Sequence, residues 1–223
     1  MLALLDAYRD SGQNESDHLF ETIARDLGES GYSVNPGALP ADLANGLAQQ
    51  CRDMGMTLFD PAGIGREQDH HLNGFVRSDE ICWMTGESDV GQAWLSWAAD
   101  LQAYLNRRLF LGLFSFESHY AHYAPGDFYK RHLDAFRGQA NRVLSLVVYL
   151  NPGWQPDQGG ELVLYRDAQD RDGLKVTPAL GTVVAFLSEE FPHEVLPAAR
   201  HRYSIAGWFR VNGSDSQRVD PPR

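Results

Sequence analysis

Three side chains that can bind metal are the first feature of this sequence to indicate chemistry. His132 and Asp134 are two residues apart, so on a β-strand both project from the same face. Such pairs also occur on many solvated strands, and this pair alone is weak evidence for a site. His193, much later in the chain, would supply a third ligand. Two imidazoles and one carboxylate on one octahedral face suit non-haem Fe(II) and leave positions open for a cosubstrate and oxygen.

A single arginine in an apolar segment is the second feature. Arg202 begins the run Arg202–Phe209, where a guanidinium is costly unless an anion pairs with it. The planar guanidinium can hold a carboxylate, such as that of a bound oxoacid, through two parallel hydrogen bonds. A structural salt bridge to an aspartate or glutamate would satisfy the same arginine. The residue by itself leaves both interpretations open.

The elements that must position these residues divide into a helical first half and a β-rich second half. Apolar residues at helical spacing predict helices over 17–28, from Pro40 through Cys51, and over 90–109, with Asp17 as a cap and Gly28 as a stop in the first. Eight short β-like runs separated by turn residues follow: 118–123, 128–132, 143–150, 161–165, 174–177, 182–187, 193–195 and 202–211. The predicted fold class is α+β, a double-stranded β-helix (jelly roll) core with supporting N-terminal helices.

One domain is expected from the length of 223 residues. We predict a single domain over 17–212, with a helical lead-in at 17–110 and the β core at 115–212. Residues 1–16 are predicted to be flexible or helical, and 213–223 a disordered tail. Residues 59–80 are rich in Gly, Asp and His and much longer than an ordinary connection of about five residues, which predicts a functional covering loop. Its His70–His71 pair is interpreted as solvated.

Composition narrows the class of protein. The formal net charge of −11 argues against a general nucleic-acid binder, because phosphate affinity comes from lysine and arginine. No run approaches the roughly 18 apolar residues of a membrane span, so no membrane partner is expected. The 2 cysteines are too few for a disulfide scaffold, which favours a cytoplasmic location.

Six motifs, taken in order, resemble the prolyl hydroxylases of the Fe(II)/2-oxoglutarate-dependent oxygenase superfamily, particularly the animal oxygen-sensing enzymes and their bacterial relatives. The motifs are Tyr123–Gly126, Tyr129–Asp134, Tyr149–Asn151, Gly159–Leu162, Pro192–Val195 and Arg202–Ile205. Upstream, Arg77–Trp83 looks like the segment that ends the substrate-covering loop of that family. The sequence departs from the animal enzymes at Ala206, where they carry a hydroxyl residue near the metal.

The resemblance implies a role for each matching residue. Fe(II) would be held by His132, Asp134 and His193, and 2-oxoglutarate by Arg202. Tyr149 would donate to the same carboxylate, with Tyr123 lining the pocket and Leu162 packing against it. The side chains expected to face the substrate are Arg142, Tyr129 and Trp208, and those expected to tie down the covering loop are Arg77 and Asp79.

The activity that the resemblance implies is hydroxylation of a proline at C4 in a protein substrate. O2 and 2-oxoglutarate would be converted to succinate and CO2, with ascorbate as a reductant. A translation elongation factor, elongation factor Tu, is the candidate target by analogy with bacterial relatives. Two alternatives stay open: a hydroxylase of a free amino acid or small molecule, and a non-catalytic metal-binding sensor. A hydrolytic zinc enzyme is disfavoured, because the sequence has no His-Glu-x-x-His motif.

Overall fold

The computed structural model describes residues 2–62, 76–135 and 141–212, with the backbone alone at 2–15 and Met56. Its α-helices are α1 (Leu2–Ser30), α2 (Ala41–Asp53) and α3 (Asp89–Leu109). The strands are β1 (Tyr32–Asn35), β2 (Asp60–Pro61), β3 (Glu80–Trp83), β4 (Ser115–Tyr123), β5 (Tyr129–His132), β6 (Arg142–Tyr149), β7 (Leu162–Leu164), β8 (Leu174–Val176), β9 (Val183–Leu187), β10 (His193–Val195) and β11 (Arg202–Arg210). Single 3-10 turns occur at Met56–Leu58 and Pro156–Gln158.

The three predicted helices are present, but the bounds of the first were wrong. Helix α1 runs through both Asp17 and Gly28 and ends at Ser30. Its end is set by Gly31, which has a φ of 77° and whose N–H donates to the carbonyl of Leu27 at 3.0 Å. Among the described helices, none is both long and apolar enough to cross a membrane.

The strands form two antiparallel sheets. The larger has the order β1-β9-β6-β11-β4-β3-β2, and the smaller has the order β5-β10-β7-β8. All eight predicted strands occur within one to three residues of their predicted bounds, whereas β1, β2 and β3 were not predicted. The predicted jelly roll with supporting helices is confirmed.

Two apolar layers explain this arrangement. The first lies between the helices and the large sheet and contains Trp94 and Leu101 of α3 with Ile205 and Phe209 of β11. The second lies between the two sheets, and its buried residues include Tyr123, Tyr149, Leu162, Val184 and Phe186. Side chains alternate along a strand, so β11 sends Ile205 toward the helices and Arg202 toward the small sheet. The space between the sheets is therefore where a site can form.

Both ends of the predicted covering loop are ordered strands. Asp60 pairs with Ile81 and Pro61 with Glu80, so β2 and β3 form a short antiparallel ladder. An isolated bridge between Arg77 and Tyr129 continues toward β5 of the small sheet. Residues 63–75 of the predicted loop, with the His70–His71 pair, lie outside the described residues.

Candidate metal and cosubstrate site

The three predicted metal ligands meet at one end of the small sheet. His132 ends β5, His193 begins β10, and the two are paired in the antiparallel register of these strands. Asp134 follows β5 and completes the cluster, in which one ligand atom from each residue lies within 4.8 Å of the others. Asp134 oxygens lie 3.7 Å from Nε2 of His132 and 3.7 Å from Nε2 of His193. This donor set is the one that a non-haem Fe(II) site requires.

Backbone carbonyls orient both imidazoles. Nδ1 of His132 lies 2.8 Å from the carbonyl oxygen of Lys130, and Nδ1 of His193 lies 3.1 Å from that of Phe191. A carbonyl can only accept, so each Nδ1 carries the proton. Each Nε2 then presents a lone pair to the centre of the cluster. A hydrogen bond of this kind fixes the tautomer of a metal-binding histidine.

The charges of the cluster also favour a metal. Burial and the neighbouring His193 lower the pKa of His132, which keeps its imidazole neutral. Burial raises the pKa of Asp134, but His193 and His132 lower it more, and a hydrogen bond from Ser145 at 2.6 Å acts in the same direction. The net result is a pKa below the ordinary aspartate value. Neutral imidazoles and an ionised carboxylate are the forms that bind metal.

Arg202 lies on the same side of the large sheet as this cluster and is 2% exposed. Its Nε donates to the carbonyl of Gly160 at 2.8 Å, and its Nη1 donates to Oγ of Ser204 at 3.3 Å. Within residues 16–62, 76–135 and 141–212, no carboxylate lies within ion-pair distance of Arg202, although six other arginines there form such pairs. The salt-bridge interpretation is thus not supported. A buried cation of this kind fits an anionic ligand.

Aromatic rings complete the pocket around Arg202. Its guanidinium carbon lies 4.9 Å from the ring centroid of Tyr123 and 5.0 Å from that of Tyr149. Leu162 packs in the same cluster as both tyrosines. The Tyr149 hydroxyl is buried without a hydrogen-bond partner in the structure. Burial raises the pKa of Tyr149 to about 12 against the opposing charge of Arg202, so the phenol keeps a proton to donate. A carboxylate would satisfy both side chains.

A line of contacts connects the end of the predicted covering loop to the metal cluster. Asp79 accepts two hydrogen bonds from Arg77, at 2.7 and 2.6 Å, and its side chain is fully buried. The Arg77 guanidinium lies 4.3 Å from the ring centroid of Tyr129. That ring stacks on His132 with the centroids 3.5 Å apart and the planes at 15°.

Comparisons with known proteins identify the family. Residues 118–210 match the family model of the 2OG-Fe(II) oxygenase superfamily. The crystal structure of a Pseudomonas putida prolyl-4-hydroxylase is 41% identical in sequence and matches with a TM-score of 0.77, over 87% of this chain and 100% of that chain. The chain belongs to the 2OG-Fe(II) oxygenase superfamily. The similarity to its prolyl hydroxylases, predicted from the motifs, is confirmed.

Two animal relatives of this oxygenase are more distant. A Trichoplax adhaerens prolyl hydroxylase, solved with a hypoxia-inducible factor oxygen degradation domain peptide fragment, is 25% identical and has a TM-score of 0.78, over 89% of this chain and 92% of that chain. The hypoxia-inducible factor prolyl hydroxylase of Caenorhabditis elegans is 24% identical over 205 residues. That match covers 86% of this chain but 28% of the nematode protein. The superfamily uses Fe(II) and 2-oxoglutarate, and the metal cluster and the Arg202 pocket fit both.

Two of the predicted substrate-facing residues of the oxygenase, Arg142 of β6 and Trp208 of β11, contact each other on the large sheet. Arg142 lies over the ring of Trp208 at 3.7 Å and is held by Glu117, whose Oε1 accepts from Nη2 at 2.8 Å. The Trp208 ring lies 5.5 Å from that of His119. Burial lowers the pKa of His119 to about 4, so this ring is neutral. Arg142 is therefore fixed by protein contacts rather than simply solvated.

Sequence reasoning missed several supporting residues. Ser145 donates to Asp134 and is hydrogen-bonded to Ser188, and the carbonyl of Gly160 accepts from Arg202. Gly160 has a φ of 75°, and a Cβ there would lie 2.8 Å from Cβ of Ala198. The sequence did contain a sign that Ser145 has a role, because this polar residue interrupts an otherwise apolar strand on the face that carries Tyr149. Its partners depend on strand pairing and are not visible in the sequence.

Proposed function

We propose that this oxygenase hydroxylates a proline at C4 within a protein substrate, using O2 and 2-oxoglutarate and releasing succinate and CO2. The observation that supports this most is the 41% identity to the Pseudomonas putida prolyl-4-hydroxylase over 100% of that chain. The metal cluster and the buried Arg202 lie in one space between the sheets, and among the described residues no carboxylate pairs with Arg202. This placement supports the proposal independently of sequence identity.

In this proposal each residue of the site has a defined task. His132, Asp134 and His193 hold Fe(II), which together with 2-oxoglutarate supplies the oxidative chemistry when bound. Arg202 binds the distal carboxylate of 2-oxoglutarate through the edge of its guanidinium that Gly160 leaves free, and Tyr149 donates to the same carboxylate. The remaining wall, formed by Tyr123 and Leu162, excludes water from that pocket. Ascorbate is proposed as the reductant that maintains Fe(II).

On the substrate side, the ring of Tyr129 and the Arg142–Trp208 pair border the metal cluster, and we assign the contacts with the target proline to them. The Arg77–Asp79 ion pair fixes the end of the segment that would cover the substrate. A protein substrate is favoured because the Trichoplax adhaerens relative is solved with a peptide fragment. Elongation factor Tu is the first candidate for this chain, by analogy with bacterial members of the family.

A cytoplasmic location is part of the proposal. Cys51 and Cys82 are both free thiols, which suits a reducing compartment.

The decisive experiment is proteome-wide mass spectrometry of cells with and without the gene for this protein, searching for the gain of one oxygen on proline. We expect at least one prolyl site, first sought in elongation factor Tu, to lose the oxygen when the protein is absent. Complementation with the Asp134→Ala variant is the matched control and should leave that site unmodified. Turnover of free amino acids by the purified protein without any modified protein would favour the small-molecule alternative. Fe(II) binding with no turnover of any substrate would favour the sensor.

A further inference from the structure

Two buried serines connect Asp134 to the large sheet. Oγ of Ser145, on β6, lies 2.6 Å from Oδ2 of Asp134 and 2.9 Å from Oγ of Ser188, the residue after β9. Their exposed fractions are 1% for Ser145 and 0% for Ser188. The N–H of Ser188 donates to the carbonyl of Val143 at 3.0 Å, which fixes Ser188 beside β6. Three oxygens in a row therefore run from the metal cluster into the sheet.

The direction of these hydrogen bonds follows from the charge of Asp134. An aspartate carboxylate has no proton to donate at neutral pH and can only accept. The Ser145 hydroxyl must then donate to Oδ2. Its proton is used in that bond, so Ser188 must be the donor in the bond between the two hydroxyls. Both hydrogen bonds therefore have a defined direction, from Ser188 to Ser145 and from Ser145 to Oδ2 of Asp134.

We propose that Ser145 and Ser188 are positioning residues that set the orientation of the Asp134 carboxylate among the metal ligands. Ser145 holds Oδ2, and Ser188 holds the rotamer of Ser145. In this orientation Oδ1 lies 3.7 Å from Nε2 of His132, and Oδ2 lies 3.7 Å from Nε2 of His193. The inference rests on the Fe(II) site of the proposed function.

Packing alone does not explain hydroxyls at these two places. A buried hydroxyl costs free energy unless it is hydrogen-bonded, and an alanine would fill nearly the same space without that cost. The bond from Ser145 to an ionised carboxylate is charge-assisted, and such bonds are about twice as strong as neutral ones. Residues that orient a metal ligand in this way typically change metal affinity or activity by about 10- to 100-fold when removed.

The test is an anaerobic titration of the metal-free full chain with Fe(II) in the presence of 2-oxoglutarate, followed by the visible charge-transfer band. For Ser145→Ala we expect the dissociation constant of Fe(II) to rise about 10- to 100-fold. The band maximum should also shift, because the Asp134 carboxylate is then free to rotate away from the orientation that Ser145 holds. Ser145→Thr keeps the hydroxyl and should restore both the affinity and the band position.

The matched control is Ser118→Ala. Ser118 is also a buried serine of the large sheet, 2% exposed, but its hydroxyl accepts from Nε1 of Trp94 on the helix side at 3.1 Å. We expect its Fe(II) affinity and band to equal those of the wild type. Wild-type affinity in Ser145→Ala, or an equal loss in Ser118→Ala, would overturn the proposal.

If Ser145→Ala does not fold, the same titration of Ser188→Ala tests the proposal, because this variant leaves the direct bond from Ser145 to Asp134 in place. A loss of Fe(II) affinity smaller than that expected for Ser145→Ala supports the positioning role of the two serines, and unchanged affinity overturns it. None of these titrations contains a prolyl substrate. A wild-type protein that binds Fe(II) but never hydroxylates proline would therefore remove the proposed function and leave this inference standing.

Discussion

The guanidinium of Arg202 lies 5.0 Å from the ring centroid of Tyr149, and the hydroxyl of that tyrosine is buried with no hydrogen-bond acceptor among the residues that the structure describes. A cation and an unused donor thus lie at the same buried end of the site. Leaving a buried donor unsatisfied costs about 1–3 kcal/mol. The chain tolerates this cost at a place where a carboxylate would remove it, which ties the stability of this pocket to its ligand.

Removing the Tyr149 hydroxyl should weaken 2-oxoglutarate binding without harming the fold. For Tyr149→Phe we expect a loss of affinity of about fivefold, equivalent to the roughly 1 kcal/mol of one hydrogen bond, measured by calorimetric titration of the Fe(II)-loaded protein. Tyr120→Phe is the matched control, because the Tyr120 hydroxyl is also buried and unpartnered but belongs to the helix-facing layer. Equal effects of the two variants on 2-oxoglutarate would contradict the assignment of Tyr149.

The shape of the Arg202 guanidinium should matter as well as its charge. An ammonium cannot reproduce two parallel hydrogen bonds to one carboxylate, so Arg202→Lys should weaken 2-oxoglutarate binding by at least about tenfold while Fe(II) binding is largely retained. Arg210→Lys, at the other end of the same strand and paired with Glu117, serves as the control. Unchanged cosubstrate affinity in Arg202→Lys would remove Arg202 from the site.

The metal cluster should have a visible spectrum. Anaerobic Fe(II) with 2-oxoglutarate should give a weak charge-transfer band, because three protein ligands leave positions for the cosubstrate. His132→Ala and Asp134→Ala should each abolish the band, whereas His201→Ala, an exposed histidine outside the cluster, should keep it. Persistence of the band in both cluster variants would rule out the assigned ligands.

The buried Arg77–Asp79 pair should contribute to stability more than a surface pair. Asp79→Asn removes the buried carboxylate charge that pairs with the mostly buried Arg77, and we expect a loss of about 3–5 kcal/mol in the free energy of unfolding. Glu21→Gln breaks the exposed Arg108–Glu21 pair and should have no measurable effect. Urea denaturation of Asp79→Asn and Glu21→Gln measures the free energy of unfolding of each variant. A small effect of Asp79→Asn would show that the pair does not anchor the start of β3.

The metal-free protein should lose stability in mild acid partly through His119. Burial lowers the pKa of His119 from 6.5 to about 4, so between these values the unfolded chain binds a proton that the folded chain does not. Stability is therefore complete above pH 6.5 and declines as the pH falls toward 4, by up to about 3 kcal/mol from this group. His119→Gln should flatten the decline, and His18→Gln, which changes an exposed histidine, should not. Parallel curves for wild type and His119→Gln would contradict this.

Local patterns in the sequence determined most of the secondary structure. The helices and the eight strands from β4 to β11 follow from apolar residues at periods that a short segment displays by itself. Strands β1 and β3 have no such alternation, and they become strands because Tyr32–Asn35 pairs with β9 and Glu80–Trp83 pairs with β4. For these two strands the pairing with a distant segment, and not a periodic pattern of their own, sets the conformation.

The metal and cosubstrate site also depends partly on local sequence and partly on tertiary structure. The sequence by itself placed His132 and Asp134 two residues apart, and the family motifs indicated His193 and Arg202. Asp134 lies beyond the end of β5, so strand alternation does not bring it to the cluster. Only the tertiary structure decided that His193 pairs with His132, that Ser145 and Ser188 bond in series to Asp134, and that Arg202 has no carboxylate partner among the described residues. The physical reason is that residue types fix which groups can bond, whereas strand register and sheet packing fix which of them meet.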